Sequence, residues 1–161
     1  MHAVDQEKVT VTLTAAAPAA RLFAVLADPT THAAIDGTGW VQEAVDRAPL
    51  TEVGQVFRVG MYHANHPDGA YQVANKVQVL DPPYAIGWLP GQEKEDGHLE
   101  FGGWTWRYDL ASLAPSETEV TLTYDWSAVP QFIREYIQFP PFGPEHLTNS
   151  LHHLAELDSR P

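Results

Sequence analysis

The aromatic residues in the second half of this chain fall on alternate positions. Trp104, Trp106, Tyr108 and Leu110 alternate with Thr105, Arg107 and Asp109, and Val120, Leu122, Tyr124 and Trp126 alternate with Thr121, Thr123 and Asp125. Tyr84, Ile86 and Trp88 follow the same rule, as do Tyr71, Val73, Asn75, Val77 and Val79 against Gln72, Ala74, Lys76 and Gln78. Period-two patterning of this kind marks half-buried strands of an antiparallel sheet, one face wet and one face covered. A slip of one residue would expose two indoles and bury a guanidinium, so Trp104 and Trp106 are expected inward and Thr105 and Arg107 outward. The covered face is rich in Trp and Tyr, whose N–H and O–H groups need partners. A plain core would favour Leu, Ile and Val, and the six rings of Trp88, Trp104, Trp106, Tyr108, Tyr124 and Trp126 are hard to close-pack on a curved sheet. The face therefore reads as the wall of a lined cavity.

Ahead of these strands, Val9, Val11 and Leu13 alternate with threonines and read as a first strand. The period then changes: Pro18 suits the first turn of a helix whose apolar face is Leu22, Phe23, Val25 and Leu26, stopped at Asp28-Pro29. A second short helix is expected over Thr30–Ile35, before the turn cluster Asp36-Gly37-Thr38-Gly39. Further strands are expected at Trp40–Val45 and Gln55–His63. The latter is joined to Ala70–Leu80 by the turn Asn65-His66-Pro67-Asp68-Gly69. The strand Tyr84–Leu89, a solvated loop over Gln92–His98, and a hairpin of Gly103–Leu113 with Thr118–Ser127 complete the sheet. After Pro130 the period is helical again, with Phe132, Ile133, Tyr136 and Ile137 on one face. Pro140-Pro141 breaks it, and a last helix carries Leu147, Leu151, Leu154 and Leu157.

The 161 residues are read as one α+β domain spanning 1–161. A formal net charge of −12 repels polyphosphate, which argues against nucleic acid and against docking on anionic membranes. The absence of cysteine removes disulfides, thiolate metal sites and cysteine nucleophiles. No segment reaches transmembrane length and Met1–Lys8 lacks an apolar signal core, so no membrane insertion and a cytoplasmic location are expected. There is no Walker loop, dinucleotide fingerprint or Gly-x-Ser-x-Gly elbow, and no cofactor is expected.

The order of strand, two helices, six strands and long C-terminal helix resembles the helix-grip fold of the START/Bet v 1-like (SRPBCC) superfamily. Its curved antiparallel sheet of about seven strands wraps around the last helix. Ala17-Pro18, Ala27-Asp28-Pro29, Ile35-Asp36-Gly37, Asn75, Gly87-Trp88, Gly103-Trp104-Thr105-Trp106 and Tyr124-Asp125-Trp126 resemble its polyketide cyclase/dehydrase-like branch. The resemblance implies a cavity between sheet and helix that holds an apolar small molecule. It does not fix one activity, since carriers and enzymes share the fold.

The candidate ligand-binding residues are those on the converging faces: Phe57, Met61, Tyr71, Asn75, Trp88, Trp104, Trp106, Tyr108, Tyr124 and Trp126 from the strands. Leu147 and Leu151 come from the last helix, and Phe139 and Phe142 from the break at the cavity entrance. Asn75, on an apolar face, needs a partner for its amide, structural or ligand. The catalytic candidates are His63, as a general base, with Asn75 and Tyr124 to polarise a carbonyl oxygen. His63, His66 and Asp68 match no ligand spacing, and no metal is expected. His146, Asn149, Ser150 and His153 read as the polar boundary of the last helix, or as groups at the cavity mouth. The resulting expectation is binding of a hydrophobic, aromatic, polyketide- or lipid-like molecule. The rivals are a cyclase/dehydratase in the same cavity and a cavity-poor interaction module, a homodimer through Phe132–Phe142.

Overall fold

The computed structural model describes residues 2–5, 7–36, 40–62, 70–135, 139–142 and 145–159. Nine strands form one antiparallel sheet: β1 His2–Asp5, β2 Lys8–Ala15, β3 Val41–Ala44, β4 Val56–Tyr62, β5 Ala70–Asp81, β6 Ala85–Glu93, β7 Leu99–Phe101, β8 Thr105–Ala114 and β9 Glu117–Asp125. Their order is β1-β2-β9-β8-β6-β5-β4-β3, with β7 on β6. The sheet curls into a half-barrel. β1 and β7 add to the seven strands expected from sequence. β7 exists because β6 runs on to Glu93, so the solvated loop expected over Gln92–His98 shrinks to a turn closed by Lys94 N–H to the His98 carbonyl at 2.9 Å.

Among the described residues four α-helices accompany the sheet, α1 Ala19–Leu26, α2 His32–Ile35, α3 Gln131–Arg134 and α4 Glu145–Ser159, with a 3-10 turn at Pro29–Thr31. Pro18 caps α1, and Asp28 receives the chain as it leaves, its Oδ1 accepting from the Thr30 N–H at 3.0 Å and hydroxyl at 2.7 Å. β2 and β3 stand far apart in the strand order, so the connection through α1 and α2 crosses from one side of the sheet to the other. α4 packs against α1, α2 and β2. Leu147, Leu151 and Leu154 of α4 are buried together with Leu22 and Leu26 of α1, Ile35 of α2, and the alternating Val120, Leu122 and Tyr124 of β9. On the opposite face Thr10 meets Thr123 and Thr12 meets Thr121, hydroxyl to hydroxyl at 3.4 and 3.2 Å. No helix among the described residues is long and apolar enough to cross a membrane.

Three sequence expectations change. Val79 does not continue the inward row of β5, because Val77 pairs with Trp88 and Val79 already pairs with Gly87. Gln78 is the extra residue of a β-bulge, and it transfers the inward position to Leu80, opposite the fully buried Ile86. Tyr84 precedes β6, in a turn closed by its own N–H on the Asp81 carbonyl at 2.7 Å, and is 53% exposed. Phe132 lies in a helix only four residues long and is 65% exposed, so it does not bury with Ile133.

Candidate functional site

Strand register builds the wall of the site. Tyr124 lies directly opposite Trp106, Trp106 opposite Trp88, and Trp88 opposite Val77, one continuous band across β9, β8, β6 and β5. A parallel row of Leu122, Tyr108, Ile86 and Leu80 lies beside it. Arg107 is exposed on the reverse, tied to Asp109 at 3.0 Å, in keeping with the expected register. The chain reaches Trp104 through Gly103, which takes φ +100 and would place a Cβ 2.6 Å from the Ala128 carbonyl oxygen, so glycine is required there.

Two groups of rings stand on this wall. In one, the His32 imidazole of α2 stacks on Trp88 at 5.0 Å between centroids and meets Phe57 edge-on at 5.5 Å; its Nε2–H donates to the Leu26 carbonyl at 2.8 Å. Burial pushes the His32 pKa down, against the pull of that carbonyl and of Asp28. Tyr108 joins this group at 6.2 Å from Trp88.

The other group forms where the break ahead of α4 folds onto the sheet. Residues 139–142 are non-helical, as the consecutive prolines require. Phe139 lies 5.8 Å from Trp104. Phe142 stacks on Trp106 at 5.6 Å, meets Tyr124 edge-on at 5.0 Å and His146 at 4.6 Å, and reaches Trp40 at 6.5 Å. Trp104, Trp106, Phe139 and Phe142 are each half-buried, so these rings form a layer at the edge of the core rather than its centre.

A polar corner adjoins this second group. His146, in the first turn of α4, is only 6% exposed, with its Nε2 3.7 Å from Oδ1 of Asp36. Asp36 is itself fixed, its Oδ2 accepting from the Val41 N–H at 3.0 Å. The His146 Nδ1 is buried and meets no hydrogen-bond partner among the described residues. Burial pushes the His146 pKa down, while the Asp36 and Glu145 charges pull it up. Burial raises the Tyr108 hydroxyl far above its ordinary range, and the charge of Asp36 adds to the rise. Burial likewise raises Tyr124. Asp36, facing Nε2, electrostatically favours the tautomer of the neutral ring that carries its proton on that side.

The sequence-derived residues therefore separate into places. Trp104, Trp106, Tyr124, Phe139 and Phe142 come together in the ring layer beside the break, with buried Trp126 5.8 Å beyond Tyr124. Phe57, Trp88 and Tyr108 meet around His32. Asn75 is 5% exposed between Phe57 and Pro90 on neighbouring strands, and Met61 faces Tyr71 at the outer end of β4 and β5. Leu147 and Leu151 are core. His63, His66 and Asp68 lie outside the described residues. Of the polar helix positions, Ser150 is buried, His153 Nδ1 contacts the Ile35 carbonyl at 3.0 Å, and Asn149 is exposed. Sequence reading missed the partnership of Asp36 with His146 and the stacking of His32. The first was read as a turn residue and the second passed over; only the four-and-three spacing of His146, Ser150 and His153 hinted at an inward edge. Concavities of about 300 Å³, beside Thr30, Ala33 and Val41, and about 180 Å³, beside Arg58, Gln72 and Glu93, lie away from these rings.

The architecture can now be set beside known proteins. The crystal structure of protein Ms6760 from Mycobacterium smegmatis (TM-score 0.67, 20% identity, 98% of this chain and 94% of that one) and a structure of a Thalictrum flavum norcoclaurine synthase point mutant in complex with a transition-state analogue (0.63, 14%, 94% and 93%) superpose over nearly the whole chain. So does a solution structure from Arthrobacter aurescens (0.70, 15%, 100% and 92%). The fold is a helix-grip half-barrel. Among curated sequences, the uncharacterized proteins Rv0088 and MT0096 of two Mycobacterium tuberculosis strains are each 34% identical over 113 residues, 70% of this chain. The match spans only 45% of either relative, less than half its length. No protein-family model matches the chain.

Proposed function

We propose that this half-barrel binds a small hydrophobic molecule, aromatic, polyketide- or lipid-like, between sheet and α4, with the Phe139–Phe142 segment lying over it. The observation that carries the reading is the half-buried ring layer of Trp104, Trp106, Phe139 and Phe142. Rings belonging to a non-helical break rest there on strand indoles, where a ligand ring could take their place. Apolar pockets edged by a few polar groups are the usual form of such sites, and Tyr124, Asn75 and His146 supply the edge. Burial of a ring yields about 25 cal/mol per Å² before association costs, so micromolar affinity needs no charged anchor. The presence of a transition-state analogue in a norcoclaurine synthase structure of the same fold is in keeping with this reading.

A second reading, an enzyme of the cyclase/dehydratase type, is favoured by the buried His146–Asp36 pair, since a neutral imidazole oriented by a carboxylate is the form a general base takes. Titration with naphthalene, read by tryptophan fluorescence and melting temperature, tests the first. Trp106→Ala should weaken binding at least tenfold, and the outward Arg107→Ala should leave it within twofold. Silence across a panel of aromatic polyketides, sterols and fatty acids would leave the interaction module as the better account.

A further inference from the structure

We propose that the preferred ligand is an apolar ring system bearing one neutral hydrogen-bond donor, a phenolic or enolic hydroxyl, and that His146 Nδ1 accepts from it where the Phe142 ring now sits. This rests on reading the sheet–helix interior as a binding site, and adds to it the chemistry of the ligand's polar end. Three observations converge. Nδ1 of His146 is the buried side-chain atom without a partner among the described residues, a state that costs about 1–3 kcal/mol unless something donates to it. The Asp36 carboxylate, 3.7 Å from Nε2, electrostatically favours the ring proton on that side, and the two nitrogens of an imidazole point to nearly opposite sides of the ring. Nδ1 therefore faces away from Asp36 as a pure acceptor. Finally, the imidazole stands steeply inclined to both Trp106, at 5.5 Å between centroids, and Phe142, at 4.6 Å, so the histidine adjoins a slot that already holds an aromatic ring.

The same corner selects against charge. An anionic ligand would meet Asp36 and Glu145, in a protein of formal net charge −12. An ammonium would have to strip its hydration in a ring-lined slot, while the carboxylate that could balance it is engaged with the Val41 N–H. A neutral hydroxyl on a flat apolar frame satisfies the acceptor and replaces the ring contacts of Phe142 at once.

The test uses 2-naphthol and 2-methylnaphthalene, matched in shape and differing in the donor. Affinities are measured by tryptophan fluorescence in the wild type and in His146→Leu. The preference for the naphthol should fall about tenfold in the variant, equivalent to about 1.4 kcal/mol. Because the ratio is compared between proteins, the different hydration of the two probes cancels. Nitrogen-15 spectra of the wild-type histidines give a second measurement that does not depend on the variant folding. They should place the His146 proton on Nε2, and the Nδ1 signal should move on adding naphthol and stay on adding methylnaphthalene. If both probes bind with the same ratio in the two proteins and Nδ1 does not respond, the hydroxyl anchor is wrong while the binding site stands. If neither probe binds the wild type, the binding site itself is wrong and the anchor falls with it.

Discussion

Phe142→Ala should reveal one free energy twice, with opposite signs. The ring of Phe142 contacts Trp106, Tyr124, His146 and Trp40, yet it remains half-buried. Truncating a fully buried Phe costs about 3–5 kcal/mol, so a half-buried ring resting on other rings should cost about 2 kcal/mol. If Phe142 occupies the ligand's place, an incoming ring must first displace it, and that step costs the same contacts. Removing the side chain removes the competition, and affinity for naphthalene should rise by about 2 kcal/mol, roughly thirtyfold. Stability is read from urea unfolding and affinity from fluorescence titration of the same preparation. A loss of stability with unchanged affinity would mean that Phe142 is ordinary packing. A loss of both would make it a wall of the site and not its occupant.

Two further outcomes are expected. His32 and His146 both have pKa values pushed below the ordinary 6.5 by burial, so each is harder to protonate in the fold than in the unfolded chain. Their contribution should be complete above about pH 6.5 and be lost as pH falls from there through the lowered folded-state values. His98, raised by Glu100 and Asp96, acts in the opposite sense, so urea midpoints should be compared between about pH 7.5 and about pH 5.5 in a His98→Asn background; a flat profile would refute the assignment. The bulge at Gln78 makes Leu80→Ala cost about 2 kcal/mol and Val79→Ala less than about 1 kcal/mol; the reverse order in urea unfolding would restore the uninterrupted alternation.

Much of the fold was legible because period-two patterning is a property of the chain itself. A strand whose even-numbered residues are Trp, Tyr and Val and whose odd-numbered residues are Thr and Asp can bury only one side. The sequence of β8 and β9 therefore decided the faces of Trp106 and Tyr124, and β2 likewise. The consecutive prolines decided the break before α4 in the same local way. The bulge was not legible, since it exists only in the pairing of β5 with β6: Gln78 looks like any polar outward residue until Trp88 and Gly87 fix what stands opposite Val77 and Val79. Tyr84 fits an alternating pattern but lies one residue before the ladder that would have turned it inward. The candidate site was half legible for the same reason. Its apolar wall is written in strand periodicity, whereas its polar corner joins Asp36, after α2, to His146, at the start of α4. Nothing local marks either residue, because each acquires its role only when the last helix crosses the sheet and removes water from both. Tertiary packing alone leaves a carboxylate beside one imidazole nitrogen and the other buried without a hydrogen-bond partner among the described residues.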